Sequence, residues 1–263
     1  MASYAQVMVD AWRAGSLRTA EDSIATEVPV ALTYNRLSHV VMMATPEHLE
    51  DFALGFSLTE GIIGGVGDLI ATRVVPREGG LEVAMTIEEA WFDRLSTQRR
   101  NLTGRTGCGL CGAEKIEQAL RYPDPVGHSV KVTHQAIQQA LEQMQQHQPL
   151  QAVTGATHGA AWCGLGGYIE TLREDVGRHN ALDKLIGALS RQAFDPAAGF
   201  VLVSSRASYE MVYKSAMAGM ELLVAISAPT TLAVEFAQRS GQTLVGFARP
   251  GRHNVYTYPQ RLG

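Results

Sequence analysis

The chain has 263 residues, of which 46% are hydrophobic and 18% are charged, and its formal net charge is −4. This length can bury a substantial core, as one large domain or two smaller ones, and the composition is that of a globular protein. The negative net charge argues against a general nucleic-acid-binding protein or a membrane-surface protein. The longest apolar runs are too short to cross a bilayer, so we expect neither nucleic acid nor a membrane as a partner.

The N-terminus and the cysteines indicate the compartment. Residues 1–10 contain no basic segment followed by an apolar one, so no secretory signal is visible. The chain has three cysteines, an odd number that suits a reducing environment. We therefore expect a cytoplasmic protein.

The first part of the chain is predicted to be small and mixed in structure. Residues 1–20 show no sustained apolar periodicity and are predicted to form a loosely attached N-terminal arm, followed by a small α+β domain at 21–100. Runs rich in strand-forming residues at 27–34 and 38–44 predict a β-hairpin, and runs at 68–75 and 81–87 predict a second strand pair. Thr45 and Pro46 predict the start of a helix between them.

Residues 101–127 are predicted to form a loop and a helix that carry the motif Cys108-x-x-Cys111, followed by a linker. Glycines around the motif allow sharp turns and leave the sulfur atoms uncovered, and a helix is predicted from Ala113 onward. A helix N-terminus carries partial positive charge and unpaired N–H groups, which favour a thiolate. The motif therefore predicts a chemically reactive cysteine.

Other interpretations of this motif are less favoured. A thioredoxin-like pair and a dinucleotide-binding G-x-G-x-x-G motif both need an apolar strand before the motif, whereas residues 101–107 are polar. A structural zinc site needs four ligands, usually in two paired motifs. Beyond the two cysteines, the chain offers only scattered candidates: Cys163, His128, His134 and His158. We predict no metal site, and we expect Cys163, which lies in an apolar run, to be buried.

Residues 128–263 are predicted to form an α/β domain. A helix capped by Thr133 is followed by a strand pair, and then short apolar runs alternate with amphipathic helices. This alternation predicts a largely parallel sheet between layers of helices. The predicted strands are 159–163, 168–172, 200–203, 222–226, 243–247 and 254–258, and the predicted helices are 133–146, 178–194, 209–219 and 230–239.

Polar loops follow the predicted strands, at 175–180, 204–208, 227–231 and 248–253. Because ligands bind at the carboxyl ends of parallel strands, we expect these loops to converge on one edge of the sheet. Guanidinium groups and helix N-termini there would bind phosphates. Several of these polar residues are individually explained as caps or turns, and His179 is as readily a polar contact as a ligand contact. The candidate caps and turns are Asp175, Ser227, Thr230 and Thr231, and the candidate phosphate-binding arginines are Arg178, Arg206, Arg249 and Arg252.

Several long motifs occur in a linked order: Leu54–Ile62, Cys108–Gly112, Asp175–Lys184, Ser204–Val212, Ser227–Val234 and Gly246–Arg252. Together they resemble the FdhD family of formate dehydrogenase accessory sulfurtransferases, from about Glu27 to the C-terminus. The linked order makes this resemblance far more specific than the C-x-x-C motif alone. It implies an α/β fold, with a cytidine-deaminase-like α/β/α C-terminal domain beside a smaller α+β N-terminal domain, and a homodimer.

The resemblance also implies a function. A sulfur carrier of this kind receives a sulfane sulfur from a cysteine desulfurase as a persulfide, with Cys108 as carrier and Cys111 in a secondary role. It passes the sulfur to the molybdenum cofactor, bis-molybdopterin guanine dinucleotide, before that cofactor enters formate dehydrogenase. The cofactor would be a bound substrate, and GDP a mimic of part of it. Its expected binding residues are Phe247, Ala248, Arg249, Pro250, Gly251 and Arg252, together with Arg178, His179 and Arg206.

Two alternatives use different chemistry. Zinc deaminases need a glutamate two residues after a ligand histidine and a proline before the Cys-x-x-Cys pair. Ala160 and Gly107 stand at those positions, so deamination is disfavoured. The alternative function is a chaperone that binds and shelters the cofactor without moving sulfur, which predicts nucleotide binding that survives the loss of Cys108.

Overall fold

The computed structural model describes residues 1–100 and 122–263, so Cys108 and Cys111 lie outside the described residues. The strands of the described ranges are β1 (Tyr4–Arg13), β2 (Ser16–Ala25), β3 (Val28–Tyr34), β4 (Leu37–Ala44), β5 (Leu69–Arg77), β6 (Gly80–Ile87), β7 (His158–Gly164), β8 (Ile169–Asp175), β9 (Gly199–Val203), β10 (Leu222–Ala225), β11 (Thr243–Arg249) and β12 (Arg252–Val255). The helices are α1 (Leu49–Thr59), α2 (Glu89–Arg100), α3 (His134–Met144), α4 (Pro149–Thr154), α5 (Arg178–Arg191), α6 (Tyr209–Met217) and α7 (Thr231–Arg239). Among the described residues, no helix is both long and apolar enough to span a membrane.

The N-terminal unit is built on a four-stranded sheet in the order β4-β3-β6-β5. The predicted pairs β3–β4 and β5–β6 are antiparallel, and β3 joins them by pairing with β6 in parallel. Alternate residues of β3, including Leu32 and Tyr34, are buried in one apolar core with Phe52 of α1. The strands predicted in this part of the chain are therefore confirmed.

Three features of the N-terminal unit differ from the predictions, and the first is helix α2, which was not predicted. Residues 4–25 form an antiparallel hairpin, β1–β2, where no strands were predicted. Its residues are exposed or only half-buried, so apolar and polar residues alternate only weakly along these two strands. The prediction that Pro46 begins α1 is also wrong, because the helix begins at Leu49. Thr45 does not cap it, since its N–H and its hydroxyl both donate to Asp175, at 3.0 and 2.9 Å.

The C-terminal unit is a six-stranded sheet in the order β12-β11-β10-β9-β7-β8. Strands β9, β10 and β11 are parallel, β7 is antiparallel to both of its neighbours, and β12 is antiparallel to β11. Helices α5, α6 and α7 cover one face, and α3 covers the other. Thr133 caps α3 as predicted, since its hydroxyl accepts from the N–H of Ala136 at 3.0 Å. The chain is thus a mixed α/β protein, as the sequence predicted. The prediction of a largely parallel sheet is wrong, because three of the five strand pairings are antiparallel, and the short α4 was not predicted.

The two units are joined where α1 crosses α5. Gly55 leaves no room for a side chain, because a Cβ atom there would lie 1.8 Å from the carbonyl oxygen of Asp183. Gly187 is equally restricted, because a Cβ atom there would lie 1.9 Å from the carbonyl oxygen of Asp51. The two helices therefore approach to backbone contact.

Buried charges reinforce this junction. Lys214 of α6 lies 3.0 Å from the carboxylate of Asp183 and 2.9 Å from that of Glu60, at the end of α1. The next residue of α5, Lys184, lies 2.7 Å from Asp175, the residue that holds Thr45 of the N-terminal unit. Burying a charge is unfavourable unless it is paired, so these contacts fix the two units together.

Candidate functional site

One edge of the C-terminal sheet gathers the predicted site segments. Strands β8, β9, β10 and β11 all end there, because β7 is antiparallel to both β8 and β9. Strands β7 and β12 begin at the same edge, with His158 and Arg252. Helices α5, α6 and α7 start after strands that end there, so their N-termini contribute partial positive charge.

Backbone hydrogen bonds connect the loops of this edge. The N–H of Phe247 donates to the carbonyl of Ser227 at 3.0 Å, and the N–H of Thr230 donates to that of Ala207 at 3.0 Å. The N–H of Gly159 donates to the hydroxyl of Ser204 at 2.9 Å. The structure thus brings loops that are distant in sequence into one continuous surface, which we call the strand-end edge.

A histidine and arginine group lies at the β8 end of the strand-end edge. The ring nitrogen Nε2 of His179 is 2.8 Å from the carboxylate of Glu210 on α6, and the hydrogen bond from His179 lowers the pKa of that carboxyl. His158 is half-buried, and its burial, followed by the charges of Arg178 and His179, lowers its pKa. Within the described residues, the buried Nε of Arg178 has no hydrogen-bond partner. This group therefore combines a neutral imidazole with donors available to an anion.

The segment from Phe247 to Arg252 lies at the β11 end. Phe247 has a positive φ of 51° at an irregularity in the β11–β12 pairing, and 43% of the residue surface is exposed, so the ring is free to stack on a ligand. Arg249 and Arg252 face each other across the turn and are exposed. Ala248 is fully buried in the core beneath α3, so it can offer a ligand only its backbone.

The two groups do not form a single compact clamp. Strands β7, β9 and β10 separate β8 from β11, which corresponds to about 19 Å at the usual spacing of neighbouring strands. Arg206 is exposed in the loop after β9, between the two groups. The candidate phosphate-binding residues are therefore spread along the strand-end edge, which suits an extended ligand with several anionic groups.

Other polar residues of the motifs have structural roles. Asp175 is fully buried and also accepts from the N–H of Gly177 and the amide of Asn180, at 2.8 and 3.0 Å. Thr230 caps α7 as predicted, since its hydroxyl accepts from the N–H of Ala233 at 3.2 Å. These residues shape the strand-end edge without being available to a ligand.

The scattered metal-ligand candidates do not meet. Cys163 is fully buried as predicted, and its burial raises the pKa of its thiol. His128 contacts Arg261 at 3.0 Å, whereas His134 contacts His253. Among residues 1–100 and 122–263, no group of three or more histidine, cysteine, aspartate or glutamate side chains could hold a metal ion.

Sequence reasoning did not include His158 or Glu210 among the site residues. His158 is the first residue of β7 and pairs with Asp175, the last residue of β8. Pairing the two predicted strands in register would have placed it at the strand-end edge. No sequence pattern indicated that Glu210 belongs to the site, because its contact with His179 depends on how α5 packs against α6.

The model of the FdhD/NarQ family matches residues 25–263. Proteins named sulfur carrier protein FdhD are 53% identical in Cupriavidus necator, over 97% of this chain and 88% of that protein, and 50% identical in Bordetella petrii, over 93% and 88%. A third, from Xanthomonas euvesicatoria, is 50% identical over 95% of this chain and 89% of that protein.

The fold has a solved counterpart. A crystal structure described as that of a formate dehydrogenase accessory protein from Desulfotalea psychrophila superposes with a TM-score of 0.78, covers 100% of both chains and is 23% identical. At that identity the likeness concerns the fold alone. The family match over residues 25–263 and the relatives at about half identity establish that this chain belongs to the FdhD/NarQ family.

Proposed function

We propose that this protein is a sulfur carrier that serves formate dehydrogenase. The observation that carries the proposal is the match along nearly the whole chain to relatives named sulfur carrier protein FdhD. Sulfur arrives from a cysteine desulfurase, whose persulfide transfers its outer sulfur atom to the thiolate of Cys108. The desulfurase cysteine leaves as a thiolate, and Cys108 becomes the persulfide.

The acceptor is the molybdenum cofactor in its bis-molybdopterin guanine dinucleotide form, bound as a substrate. The strand-end edge supports this choice because it carries exposed arginines, helix N-termini and the exposed ring of Phe247. Its length of about 19 Å between the β8 and β11 ends matches a long ligand with separated phosphate groups better than a single small anion.

Delivery of the sulfur requires two electrons, because a sulfane sulfur becomes a sulfide ligand of the metal. If the metal supplies them, Cys108 returns directly to the thiolate. If Cys111 supplies them, the sulfide leaves as Cys108 and Cys111 form a disulfide, which a thiol reductant must then reduce. In both routes Cys108 is the carrier, and Cys111 is needed only for the second.

The test is to incubate the purified protein with a cysteine desulfurase and cysteine and to measure the mass of the intact chain. We expect added sulfur that a reductant removes, that is absent in Cys108→Ala and that remains in Cys111→Ala. Loss of the added sulfur in Cys111→Ala alone would assign the carrier role to the other cysteine.

A chaperone that binds the cofactor without moving sulfur is the second candidate. It is favoured by the described part of the strand-end edge, whose loops, helix N-termini and arginines all belong to residues 158–263. If wild type gains no sulfur but binds GDP, the carrier function is wrong and the chaperone function replaces it.

A further inference from the structure

Helix α3 forms hydrogen bonds to the turn between β11 and β12, which carries Arg249 and Arg252. The N–H of Gly251 donates to the side-chain oxygen Oε1 of Gln138 at 2.7 Å. The side-chain nitrogen Nε2 of Gln138 lies 3.1 Å from Nδ1 of His253. One glutamine side chain thus contacts the residue before Arg252 and the residue after it.

The donors and acceptors of this network follow from one another. A backbone N–H can only donate, so the Gln138 oxygen accepts from Gly251 and the Gln138 nitrogen donates to Nδ1 of His253. Nδ1 is then unprotonated, and Nε2 of His253 carries the proton. That Nε2 lies 2.8 Å from Nδ1 of His134, whose ring is stacked on the His253 ring with centroids 4.9 Å apart. The chain of hydrogen bonds is complete only when both imidazoles are neutral.

The turn has few other constraints. Gly251 has a positive φ of 78°, and a Cβ atom there would meet nothing within 4 Å. Residues 249–252 are all exposed, and β12 is a strand of four residues at the edge of the sheet. The orientation of both arginines therefore depends on what fixes Gly251 and His253.

We propose that Gln138, together with His253 and His134, is a positioning residue that holds the β11–β12 turn so that Arg249 and Arg252 contact the guanine nucleotide portion of the substrate. This inference rests on the proposed function, since it concerns the same substrate. Gln138 itself does not touch the ligand but acts through the turn. It gives helix α3 a direct part in substrate binding.

Acid should loosen this network. His253 faces His134 and Gln138, while Glu142 and Arg252 line the same groove of about 580 Å³ beside α3. Burial and then the charge of His134 lower the pKa of His253. A proton on Nδ1 of His253 would oppose the amide N–H of Gln138, whose oxygen is held by Gly251. A proton on Nδ1 of His134 would likewise oppose the N–H of His253.

The first measurement is the affinity for GDP by titration calorimetry at about pH 8, where imidazoles are neutral. We expect Gln138→Ala to bind about tenfold more weakly than wild type, as for the loss of one or two positioning hydrogen bonds. Gln135→Ala is the matched control, because Gln135 is an exposed glutamine of the same helix that lines the same groove. It should bind as wild type does.

The second measurement separates positioning from simple support of the fold. In Gln138→Glu, one carboxylate oxygen can still accept from Gly251, and the other can accept a proton from Nδ1 of His253, so protonation of His253 opposes the network in wild type but not in this variant. The affinity of Gln138→Glu relative to wild type should therefore rise as the pH falls from about 8 to about 5.5. The ionisation of the nucleotide is common to both proteins and cancels in the ratio. Histidine ring signals in NMR should show a higher pKa for His253 in this variant.

The outcomes distinguish this inference from the proposed function. Equal GDP affinity in Gln138→Ala and wild type, or an affinity ratio for Gln138→Glu that does not change with pH, would overturn the positioning role alone. If wild type binds no GDP, the proposed nucleotide site is wrong, and the positioning role falls with it. A weaker Gln138→Ala, an unchanged Gln135→Ala and a rising ratio for Gln138→Glu would establish it.

Discussion

Lys214 brings a positive charge into the junction between the two units, where only 6% of its side chain surface is exposed. Burial alone would lower its pKa, but the carboxylates of Asp183 and Glu60 outweigh burial and raise it, so the ammonium stays charged. Burial raises the pKa of Asp183, against the lowering effect of Lys214. The stability of each charge therefore depends on the other.

Replacing Lys214 by methionine should lower the free energy of unfolding by about 3–5 kcal/mol, because Asp183 is left buried without its partner. Urea denaturation at neutral pH measures this loss. The control is Glu235→Ala, which breaks an ion pair with Arg239 whose side chains are half exposed, and it should change stability by less than about 0.5 kcal/mol. Equal effects of the two substitutions would contradict this account of the junction.

At the scale of single residues, the sequence predicted burial and helix caps correctly but did not predict long-range side-chain contacts. The burial of Cys163 and the caps Thr133 and Thr230 followed from local patterns and are confirmed. The partner of Asp175 could not be predicted, because Thr45 lies 130 positions away and its use as a cap looked equally favourable. Long-range side-chain contacts depend on packing, which local periodicity does not encode.

At the scale of elements, the crossing of α1 and α5 depends on the absence of two side chains. Gly55→Ala should destabilise the protein by about 3 kcal/mol or more, because the added methyl group would collide with backbone rather than with a flexible side chain. Thermal unfolding followed by circular dichroism measures the change. Gly67→Ala is the control, since a Cβ atom at Gly67 meets nothing within 4 Å. A Gly55→Ala variant as stable as this control would show that the helices can move apart freely.

Most elements of the described chain were predictable because they combine a strong period with clear ends. Apart from α4, the alternation of apolar runs and amphipathic helices in residues 128–263 predicted the order of strands and helices, with errors of a few residues at their ends. The hairpin of β1 and β2 was missed because its exposed apolar residues, such as Met8, Trp12 and Leu17, lack the buried face that produces alternation. The parallel pairing of β3 with β6 also left no local trace, since it joins strands distant in sequence.

At the scale of the whole molecule, the backbone contact at Gly55 and the buried pairs at Lys184 and Lys214 predict that both units unfold together. Trp91 reports on the N-terminal core and Trp162 on the C-terminal core. In a Trp12→Phe background, the single-tryptophan variants should give fluorescence transitions with the same urea midpoint. Two separated midpoints would show that the junction is too weak to couple the units.

The general layout of the strand-end edge was predictable, but its extent was not. Sequence order alone placed four polar loops at the ends of strands, and the structure brings them to one edge. The separation of Arg178 from Arg249 depends on the spatial order of the strands, in which β7 and β8 lie beyond β9. The cysteine motif lies outside the described residues, so its predicted helix and reactive thiolate stay predictions, as does the cytidine-deaminase-like description of the C-terminal domain.

The contacts of the Asp175 carboxylate determine how much of the chain is needed to keep the strand-end edge intact. This carboxylate anchors Gly177 and Asn180, on either side of Arg178 and His179, and it is itself bound by Thr45 of the N-terminal unit. A fragment of residues 128–263 would contain every described residue proposed to bind the substrate. It would nevertheless lose Thr45, which binds the carboxylate of Asp175, and Thr59, which donates to the carboxylate of Asp183. The smallest useful version of this binding surface is therefore one that retains the N-terminal unit.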